Sequence, residues 1–211
     1  MTISKKSLTK EEKETLKTYD LYAKEWIATH HTTNFWLPEL DQFQKYLIKG
    51  EVLEIGSGAG VDAKELISRG YEYTGTDISL GLINEAKKRN PNAQFIHESV
   101  YELNFPEGSF DGFWVVAVLL HIPKSKIDGA LQKIHFVTKS NGIGLISLKK
   151  GAGEKMIEDS FKDKKFRRLY SFYSLNEFSE ILKKNKFDIL SSYIRKSTKD
   201  TWLIYFVKVA K

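Results

Sequence analysis

The sequence predicts an α/β fold built on one mostly parallel β-sheet, with helices on both faces and an antiparallel hairpin at the C-terminus. Apolar strand segments alternate with helical periodicity between residues 51 and 149, and this order implies parallel strands joined by right-handed crossovers. The run FDGFWVVAVLL at 110–120 is apolar without alternation, which predicts a central strand covered on both sides. Two late strands separated only by KSTKD predict the hairpin.

Two helices are predicted ahead of the sheet. Thr9 and Glu12 form a capping box for a helix that runs to about His30 and carries an aromatic face. Pro38 opens a second helix that ends at about Ile48.

The remaining elements follow in regular order. Strands are predicted at 51–55, 71–77, 93–98, 110–120 and 143–149, with helices at 61–68, 79–89 and 124–138 between them. The C-terminal part adds a helix near 175–184 and strands near 187–194 and 201–210. Ahead of that helix lies FKDKKFRRLY at 161–170, the densest basic patch of the chain. It is either a surface that attracts an anionic ligand or a solvated helix face, since Asp159 and Asp163 are interspersed with its lysines.

The composition excludes several kinds of chemistry. The 211 residues include no cysteine, so disulfides, thiolate metal sites and cysteine nucleophiles are excluded. Among the five histidines only His30 and His31 are adjacent, and neighbours on a helix point in different directions, so no metal is expected. The sequence has no apolar run of the ~18 residues that span a bilayer, and no apolar signal segment. We therefore expect a cytoplasmic monomer or homodimer without a membrane partner.

The segment VLEIGSGAG at 52–60 combines a strand with three glycines at alternate positions. These glycines permit positive φ angles and close backbone approach, so the turn into the next helix presents its N–H groups to a ligand. A dinucleotide site requires G-x-G-x-x-G, but Val61 stands where the third glycine is needed. Glu54 would repel a pyrophosphate and attract a positively charged ligand. S-adenosylmethionine carries an ammonium and a sulfonium and no phosphate, so it is the ligand that the segment predicts.

A second carboxylate follows at the end of the next strand. Asp77 lies where an acid accepts hydrogen bonds from both ribose hydroxyls of a nucleoside. The alternative is that Asp77 caps the helix that begins near Ser79. Together with Glu54 and the glycines, ribose binding is the better interpretation.

Five segments, in order, resemble those of a known family. VLEIGSGAG, YTGTDIS, FIHESVYELNFPEGSFDGFW, VLLHIP and NGIGLISLK are similar to the successive motifs of class I S-adenosylmethionine-dependent methyltransferases, in the small-molecule group with methyltransferase type 11/25 domains. The resemblance covers about Tyr19 to Lys149. It implies a Rossmann-like fold with a seven-stranded sheet whose last strand is inserted antiparallel. It also implies an N-terminal helical lid at 1–48 and a cofactor-binding domain at 49–211.

The resemblance assigns the cofactor contacts residue by residue. Ser99 departs from the family pattern, which usually has an acid that accepts from the adenine amino group, so Glu98, water or stacking is expected to help hold adenine. Tyr19 belongs to YDLYAKEW, which resembles the family's lid, and the alternative is that it packs as a core aromatic. The resemblance also implies S-adenosylhomocysteine as the product. The expected cofactor-binding residues are Tyr19, Glu54, Gly56, Ser57, Gly58, Gly60, Asp77, Ile78, Ser99, Val100, Val115 and Val116.

The methyl acceptor is expected at the carboxyl ends of the strands, under the N-terminal helix and the segment at 149–172. Methyl transfer is an in-line displacement at an activated carbon, so a base is needed only for an acceptor that must lose a proton. His121 is the histidine placed for that role, and the alternative is a structural histidine that bonds to the loop backbone. Expected substrate contacts are Tyr22, Arg167, Arg168, Tyr170 and Tyr173; alternatively the arginines form a solvated basic turn.

These features predict a methyltransferase that acts on an O or N atom of a small, anionic metabolite. Two alternatives stay open. One is a tRNA wobble-base methyltransferase, because FWLPEL and RRLYSFYSLNEF resemble segments of such enzymes and the C-terminal part is basic, although no nucleic-acid-binding module is recognisable. The other is a non-catalytic protein that binds S-adenosylmethionine, which the departure at Ser99 suggests.

Overall fold

The computed structural model describes residues 8–25, 35–161 and 164–210. Short 3₁₀ turns occur at Val100–Glu102, Leu119–His121 and Lys124–Lys126. The helices are α1 (Lys10–Leu21), α2 (Leu37–Tyr46), α3 (Ala63–Ser68), α4 (Leu80–Arg89), α5 (Ile127–Val137) and α6 (Leu175–Lys184). The strands are β1 (Glu51–Ile55), β2 (Glu72–Asp77), β3 (Gln94–His97), β4 (Phe110–Val116), β5 (Thr138–Lys149), β6 (Glu154–Phe161), β7 (Lys164–Ser171), β8 (Phe187–Lys196) and β9 (Thr201–Val209).

Seven of these strands form one sheet, in the order β3-β2-β1-β4-β5-β9-β8. Strands β1 to β5 pair in parallel, and β9 lies antiparallel to both β5 and β8. The predicted parallel sheet and its antiparallel C-terminal hairpin are therefore confirmed. The strand order reverses between β1 and β4, so the carboxyl ends of these strands open a crevice at the edge where ligands bind in open α/β sheets.

Strand β4 lies at the centre of the sheet and is covered on both faces. Phe113 and Trp114 are buried, as the unbroken apolar run predicts. The strand ends at Val116 instead of continuing to residue 120. The reason is local, because Ala117 adopts a φ of 57° that turns the chain out of the sheet, while its N–H still donates to the Ser147 carbonyl oxygen at 3.1 Å.

Helix α2 belongs to the apolar core. Leu40 and Phe43 are buried, and the ring of Phe43 meets that of Trp114 edge-on with 5.5 Å between the centroids. Pro38 lies in the first turn of the helix, as expected. The boundary of an N-terminal lid at residue 48 stays a prediction.

Helix α1 begins with the predicted capping box and ends earlier than expected. The Glu12 N–H donates to Thr9 Oγ1 at 3.2 Å, and the Thr9 N–H donates to a carboxylate oxygen of Glu12 at 2.8 Å. The helix ends at Leu21, because Tyr22 leaves the helical backbone conformation. The predicted continuation to His30 lies in part outside the described residues.

Residues 154–171 form an antiparallel hairpin of β6 and β7 that is separate from the main sheet. The interpretation of 161–170 as a solvated helix face is therefore wrong. The interspersed acids and bases are neighbours across the two strands: Lys165 pairs with Glu158 at 3.1 Å, and Arg168 pairs with Asp159 at 3.3 Å. Opposite charges stabilise a hairpin across its strands much as they stabilise a helix along one face, so the charge pattern alone does not distinguish the two.

Candidate active site

The glycine turn after β1 forms the floor of the crevice. Gly56, Gly58 and Gly60 have φ values of 70°, 55° and 67°, in the left-handed region that glycine tolerates. A Cβ on Gly56 would overlap Val118, whereas a Cβ on Gly58 would meet nothing within 4 Å. The main chain at Gly58 therefore borders open space, but the prediction that the turn presents its N–H groups to a ligand is not met at two of the three glycines. The N–H of Gly58 donates to Asp77, and that of Gly60 donates to the Ser57 carbonyl oxygen.

Asp77 ties the glycine turn to the start of α4. Its two carboxylate oxygens accept from the N–H groups of Gly58 and Ser79, each at 2.8 Å. Ser79 caps α4 itself, because its Oγ accepts from the Leu82 N–H at 3.2 Å, so Asp77 is not the helix cap. Burial raises the pKa of the Asp77 carboxyl group to about 6. Each of its oxygens keeps a lone pair for a further donor such as a ribose hydroxyl.

Besides Asp77, the carboxyl groups of Glu54 and Asp62 lie beside the glycine turn. Glu54 is buried at the end of β1 and accepts a hydrogen bond from the Tyr73 hydroxyl. Asp62, just before α3, accepts from the Nε1–H of Trp114 at 3.0 Å. Burial raises the pKa of Glu54 well above its usual range, with a further contribution from the charge of Asp62, and burial raises the pKa of Asp62 to about 6. Carboxyl groups held together in this way favour a positively charged ligand.

The loop after β3 carries the residues expected near adenine. Ser99 is buried, and its Oγ accepts from the Tyr101 N–H at 3.3 Å. Glu98 holds the loop through Asn104, whose backbone N–H and side-chain N–H donate to Oε1 at 3.0 Å and 2.6 Å. Within the described part of the chain, the buried Oε2 of Glu98 has no hydrogen-bond partner. Val100 begins the 3₁₀ turn that follows.

Three more of the expected cofactor contacts lie at the ends of neighbouring strands. Ile78 follows β2, and its carbonyl oxygen lies 2.9 Å from Nε2 of His97. Val115 is fully buried, backbone included, and pairs with Ile146 of β5, so the structure leaves no part of it exposed to a ligand. Val116 is half-buried at the end of β4, directly before the left-handed Ala117. Backbone outliers of this kind cluster at functional sites.

A hydrogen-bonded chain joins β7, α1 and the turn after β4. The Nη1–H of Arg168 donates to Tyr19 Oη at 3.1 Å, and the same oxygen lies 2.7 Å from Nε2 of His121. On the other side of the ring, Nδ1 lies 2.6 Å from the Leu169 carbonyl oxygen. A carbonyl oxygen only accepts, so Nδ1 carries the proton and the Tyr19 hydroxyl donates to Nε2. Burial lowers the pKa of His121 to about 3, so the ring is neutral at physiological pH.

Both nitrogens of His121 are therefore occupied. The bond from Nδ1 to the Leu169 carbonyl oxygen joins the turn after β4 to β7. A backbone bond of this kind is expected if His121 is a structural histidine. The bond at Nε2 also gives the proton of the Tyr19 hydroxyl an acceptor within hydrogen-bond distance, which is the geometry that a base requires. The role of His121 as a base stays a prediction.

Two cations flank the ring of Tyr170 next to this chain. The guanidinium carbon of Arg168 lies 5.3 Å from the ring centroid, and Nζ of Lys149 lies 4.8 Å from it. Arg168 is buried and pairs with the exposed Asp159, while Lys149, at the end of β5, pairs with Asp200 at 2.8 Å. Arg168, Lys149 and the Tyr170 ring together form a wall that carries positive groups, in contrast to the carboxyl groups around the glycine turn.

The other expected substrate residues occupy different places. Arg167 is exposed and pairs with Glu14 at 3.4 Å, because neighbouring residues of a strand point to opposite faces. Tyr173 is fully buried and packs against α6. Tyr22 is half-buried, and its ring lies 5.6 Å from that of Phe166 on the hairpin. Arg167 and Tyr173 thus lie apart from the hydrogen-bonded chain, whereas Tyr22 borders the hairpin.

Helix α1 covers the free edge of β7 with two threonines. The Leu169 N–H donates to Thr15 Oγ1 at 2.8 Å, and Thr18 Oγ1 donates to the Arg167 carbonyl oxygen at 2.9 Å. Side chains of a helix thereby satisfy backbone groups that an edge strand would otherwise leave to water. The helix and the hairpin consequently meet as one cover beside the crevice.

The sequence patterns did not indicate several residues at this site. Asp62 follows the glycine turn closely, and an acid there was a readable signal for a cationic ligand. Lys149 ends a predicted strand, so the rule that ligands bind at carboxyl ends would have found it. No sequence signal indicates Tyr73. In the sheet Glu54 pairs with Gly75, and Tyr73 lies on the same face of β2 two residues before Gly75, so its hydroxyl reaches Glu54. This contact depends on the register of the two strands.

The crevice fits a sulfonium nucleoside better than a ligand with phosphates. A pyrophosphate laid on the open main chain at Gly58 would face the carboxyl groups of Glu54, Asp62 and Asp77, whereas an ammonium or a sulfonium would be attracted to them. Within the described ranges, no group of three or more His, Cys, Asp or Glu side chains is placed to hold a metal ion. None of the helices that the structure describes is long and apolar enough to cross a bilayer.

Known proteins share both the sequence of this region and the fold. Residues 52–142 match the family described as a methyltransferase domain. A phosphoethanolamine N-methyltransferase of Plasmodium falciparum is 27% identical over 156 residues, which cover 72% of this chain and 58% of that protein. The chain thus spans little more than half the length of this relative. An uncharacterized protein of Methanocaldococcus jannaschii is 30% identical over 174 residues, which cover 80% of each chain.

A solved structure has the same fold across nearly the whole chain. The 1,6-didemethyltoxoflavin-N1-methyltransferase of Burkholderia thailandensis, crystallised with 1,6-didemethyltoxoflavin and S-adenosylhomocysteine, superposes with a TM-score of 0.74 at 20% identity, over 95% of this chain and 87% of that one. The family match begins on β1 and includes the glycine turn, Asp77 and β4, which are the elements that line the crevice. Sequence and fold agree that this chain belongs to the class I S-adenosylmethionine-dependent methyltransferases.

Proposed function

We propose that this protein transfers a methyl group from S-adenosylmethionine to an O or N atom of a small, anionic metabolite. The observation that carries the proposal is the position of the Tyr19 hydroxyl, which lies between the buried guanidinium of Arg168 and the unprotonated Nε2 of His121. A guanidinium recognises a carboxylate or a phosphate, and a basic imidazole nitrogen takes up a proton. His121 follows β4, at the same edge of the sheet as the glycine turn, and Arg168 reaches it from β7 through Tyr19.

The cofactor is held between the glycine turn and the carboxyl groups. The open main chain at Gly58 takes the methionine part, and the free lone pairs of Asp77 accept from the ribose hydroxyls. Glu54 and Asp62 face its positively charged end. When bound, S-adenosylmethionine supplies a methyl group that the sulfonium activates. On the adenine side, the unpartnered Oε2 supports Glu98 as an acceptor where Ser99 replaces the usual acid.

Arg168 and Lys149 form the wall that binds the anionic group of the acceptor. The side chain of Arg168 is only 6% exposed, so water and salt screen its attraction for an anion much less than they would at the surface. Its protein partner Asp159 is exposed, and an anionic substrate joins or replaces that carboxylate. The relation to the Plasmodium falciparum protein, which is named for N-methylation of phosphoethanolamine, supports an acceptor in which an amine and a phosphate are combined.

A proton leaves the acceptor through Tyr19. The Tyr19 hydroxyl receives that proton and passes its own to Nε2 of His121, while Nδ1–H keeps its bond to the hairpin backbone. Burial, with added repulsion from Arg168 and Lys149, lowers the pKa of His121 and disfavours the imidazolium. An anion bound between the two cations offsets that repulsion, so His121 becomes a better base when the anionic acceptor is in place.

The proposal is tested by incubating the protein with methyl-labelled S-adenosylmethionine and a matched pair of acceptors. Phosphoethanolamine and ethanolamine carry the same amine, and only the first carries an anion for Arg168. We expect label in the anionic acceptor and little or none in the neutral one; an extract of small metabolites replaces the pair if neither reacts. Equal transfer to both acceptors would contradict the anionic class, and no transfer to any acceptor in the extract would contradict the activity.

A further inference from the structure

The end of α1 is docked on the start of α4 through Asp20 and Gly81. Asp20 Oδ1 accepts from the Ser79 hydroxyl at 2.7 Å and from the Gly81 N–H at 3.1 Å. The main chains also approach closely: a Cβ on Gly81 would lie 2.7 Å from the Asp20 carbonyl oxygen and 3.1 Å from the Asp20 Cα. A side chain at residue 81 therefore does not fit while α1 is in this position.

The backbone conformation does not require a glycine at residue 81. Its φ lies outside the left-handed region, and the residue occupies the second position of α4. Alanine is favoured over glycine within a helix by about 1 kcal/mol. Gly81 thus weakens the helix in which it lies, and what it provides in exchange is the close approach of α1.

The docked helix and the residues just after it place two side chains over the cofactor crevice. Tyr19, one residue before Asp20, belongs to the hydrogen-bonded chain that includes His121. Near the end of the described part of this segment, Ala23 packs against Ala59 of the glycine turn and Leu82 of α4. The glycine turn is the floor of the crevice, and these residues form its cover.

The contact also reaches the ribose side of the crevice. Ser79 donates its hydroxyl to Asp20 and its backbone N–H to Asp77, so one residue links the cover to the ribose-binding carboxylate. Burial is the main cause of the raised pKa of Asp77, and the charge of Asp20 adds to it. Asp20 therefore lies within electrostatic reach of Asp77.

We propose that Asp20 and Gly81 are positioning residues that dock α1 over the cofactor and so control how fast S-adenosylmethionine enters and S-adenosylhomocysteine leaves. The inference rests on the proposed cofactor site, and it assigns closure of that site to a contact between two helices, not to residues that touch the ligand. At the other end of α1, the Glu12 carboxylate accepts from Tyr101 Oη at 2.6 Å and from Lys126 Nζ at 2.8 Å. The helix stays attached there when the Asp20 contact opens.

The substitution Gly81→Ala tests the inference directly. The added methyl group strengthens α4 but pushes α1 off its docking point, so we expect S-adenosylhomocysteine to dissociate at least roughly tenfold faster in stopped-flow measurements. Hydrogen exchange of the α1 amides should also become faster in the ligand-free protein. The matched control is Gly129→Ala in α5, where the added Cβ meets nothing within 4 Å. It should leave the dissociation rate and the α1 amides unchanged.

Asp20 provides a second, independent pair of variants. Asp20→Ala removes the acceptor for Ser79 and Gly81 and should also speed dissociation, whereas Asp20→Asn keeps an oxygen in the same place and should restore most of the wild-type rate. A merely structural role would lower the melting temperature without changing the ligand kinetics.

The outcomes separate this inference from the proposed function. If the wild-type protein binds no S-adenosylhomocysteine, the proposed function and the inference fail together. If it binds, and Gly81→Ala dissociates within twofold of Gly129→Ala and of wild type, the inference alone is overturned. Faster dissociation in Gly81→Ala and Asp20→Ala, with rescue in Asp20→Asn, supports it.

Discussion

Asp62 has both a hydrogen-bonding contact in the fold and an electrostatic effect on a neighbouring carboxyl group. It accepts a hydrogen bond from the buried Trp114 and, through its charge, helps to raise the pKa of Glu54. Under the proposed function it also faces the ammonium of the cofactor. A structural role and a ligand-binding role therefore predict different results for an isosteric substitution.

We predict that Asp62→Asn weakens binding of S-adenosylhomocysteine by about tenfold, because it removes a charged partner of the ammonium. The amide oxygen still accepts from Trp114, so the fold is retained. Methylthioadenosine has the same nucleoside but no ammonium, and its affinity should stay within about twofold of wild type. Calorimetry with both ligands measures the difference; an equal loss for the two would show that Asp62 supports the fold instead.

For Asp77 we predict that Asn substitution weakens S-adenosylhomocysteine and methylthioadenosine alike, by roughly tenfold or more, because both ligands carry the ribose. The backbone amides of Gly58 and Ser79 should exchange faster, since they lose part of their acceptor. The control is Asp188→Asn on β8, where the carboxyl group is 61% exposed. Affinities within twofold of wild type for the Asp77 variant would contradict the ribose assignment.

At the scale of elements, the contact between α1 and β7 depends on two threonines that serve opposite backbone groups. Thr15 accepts from a buried N–H, while Thr18 donates to a carbonyl oxygen. An N–H left without an acceptor costs about 1–3 kcal/mol, and a carbonyl oxygen is more easily satisfied by water.

We therefore predict that Thr15→Val lowers the free energy of unfolding by about 1–3 kcal/mol, and that Thr18→Val on the same face of α1 lowers it by less. Both substitutions keep the shape of the side chain and the branched Cβ, so each serves as the control for the other. Urea denaturation at constant pH measures the two values. A larger loss for Thr18→Val would show that the bond at Thr15 is not the one that holds the helix to the hairpin.

Most elements could be predicted because their patterns are local. Alternating strand and helix periodicity gave β1 to β5 in order, and the capping box gave the start of α1. The hairpin at 154–171 was missed because its ion pairs cross two strands, and the same residues in sequence are compatible with a helix. The end of β4 at Val116 depends on the left-handed Ala117, which no propensity indicates.

The candidate site could be predicted only for residues that lie on one turn or at one strand end. The glycines, Glu54 and Asp77 are in that group. The bond between Tyr19 and His121 joins residues on α1 and after β4, so it follows from how the helix is docked and not from either segment alone. For the same reason Arg167 and Arg168 looked equivalent in sequence, although the strand directs only Arg168 toward Tyr19.

Across the whole molecule, the crevice separates charge. Carboxyl groups with raised pKa values surround the glycine turn, and the cations Arg168 and Lys149 flank the Tyr170 ring, where the proposed function places the acceptor. This arrangement matches a cofactor that is positive where it meets the turn and an acceptor that is negative at the opposite wall. It also makes cofactor binding dependent on pH.

We predict that S-adenosylhomocysteine binds more weakly as pH falls through about 6, by roughly tenfold per carboxyl group between about pH 7 and pH 5. Asp62 and Asp77 both have a pKa of about 6, and each must lose its proton to attract the ligand.

The free energy of unfolding is a poorer readout of these charges than the ligand affinity. The raised carboxyl pKa values increase stability as pH falls, whereas the lowered pKa of His121 decreases it, so the two effects oppose each other. Calorimetry at several pH values decides, and a pH-independent affinity would contradict the charge assignment.

The most direct test of the central claim is an isothermal titration of the protein with S-adenosylhomocysteine and, in parallel, with NAD. The crevice at Gly58, with carboxyl groups at Glu54, Asp62 and Asp77, predicts one-to-one binding of the sulfur nucleoside and none of the dinucleotide. A folded protein that gives no heat with millimolar S-adenosylhomocysteine, or that binds NAD in its place, would contradict the account.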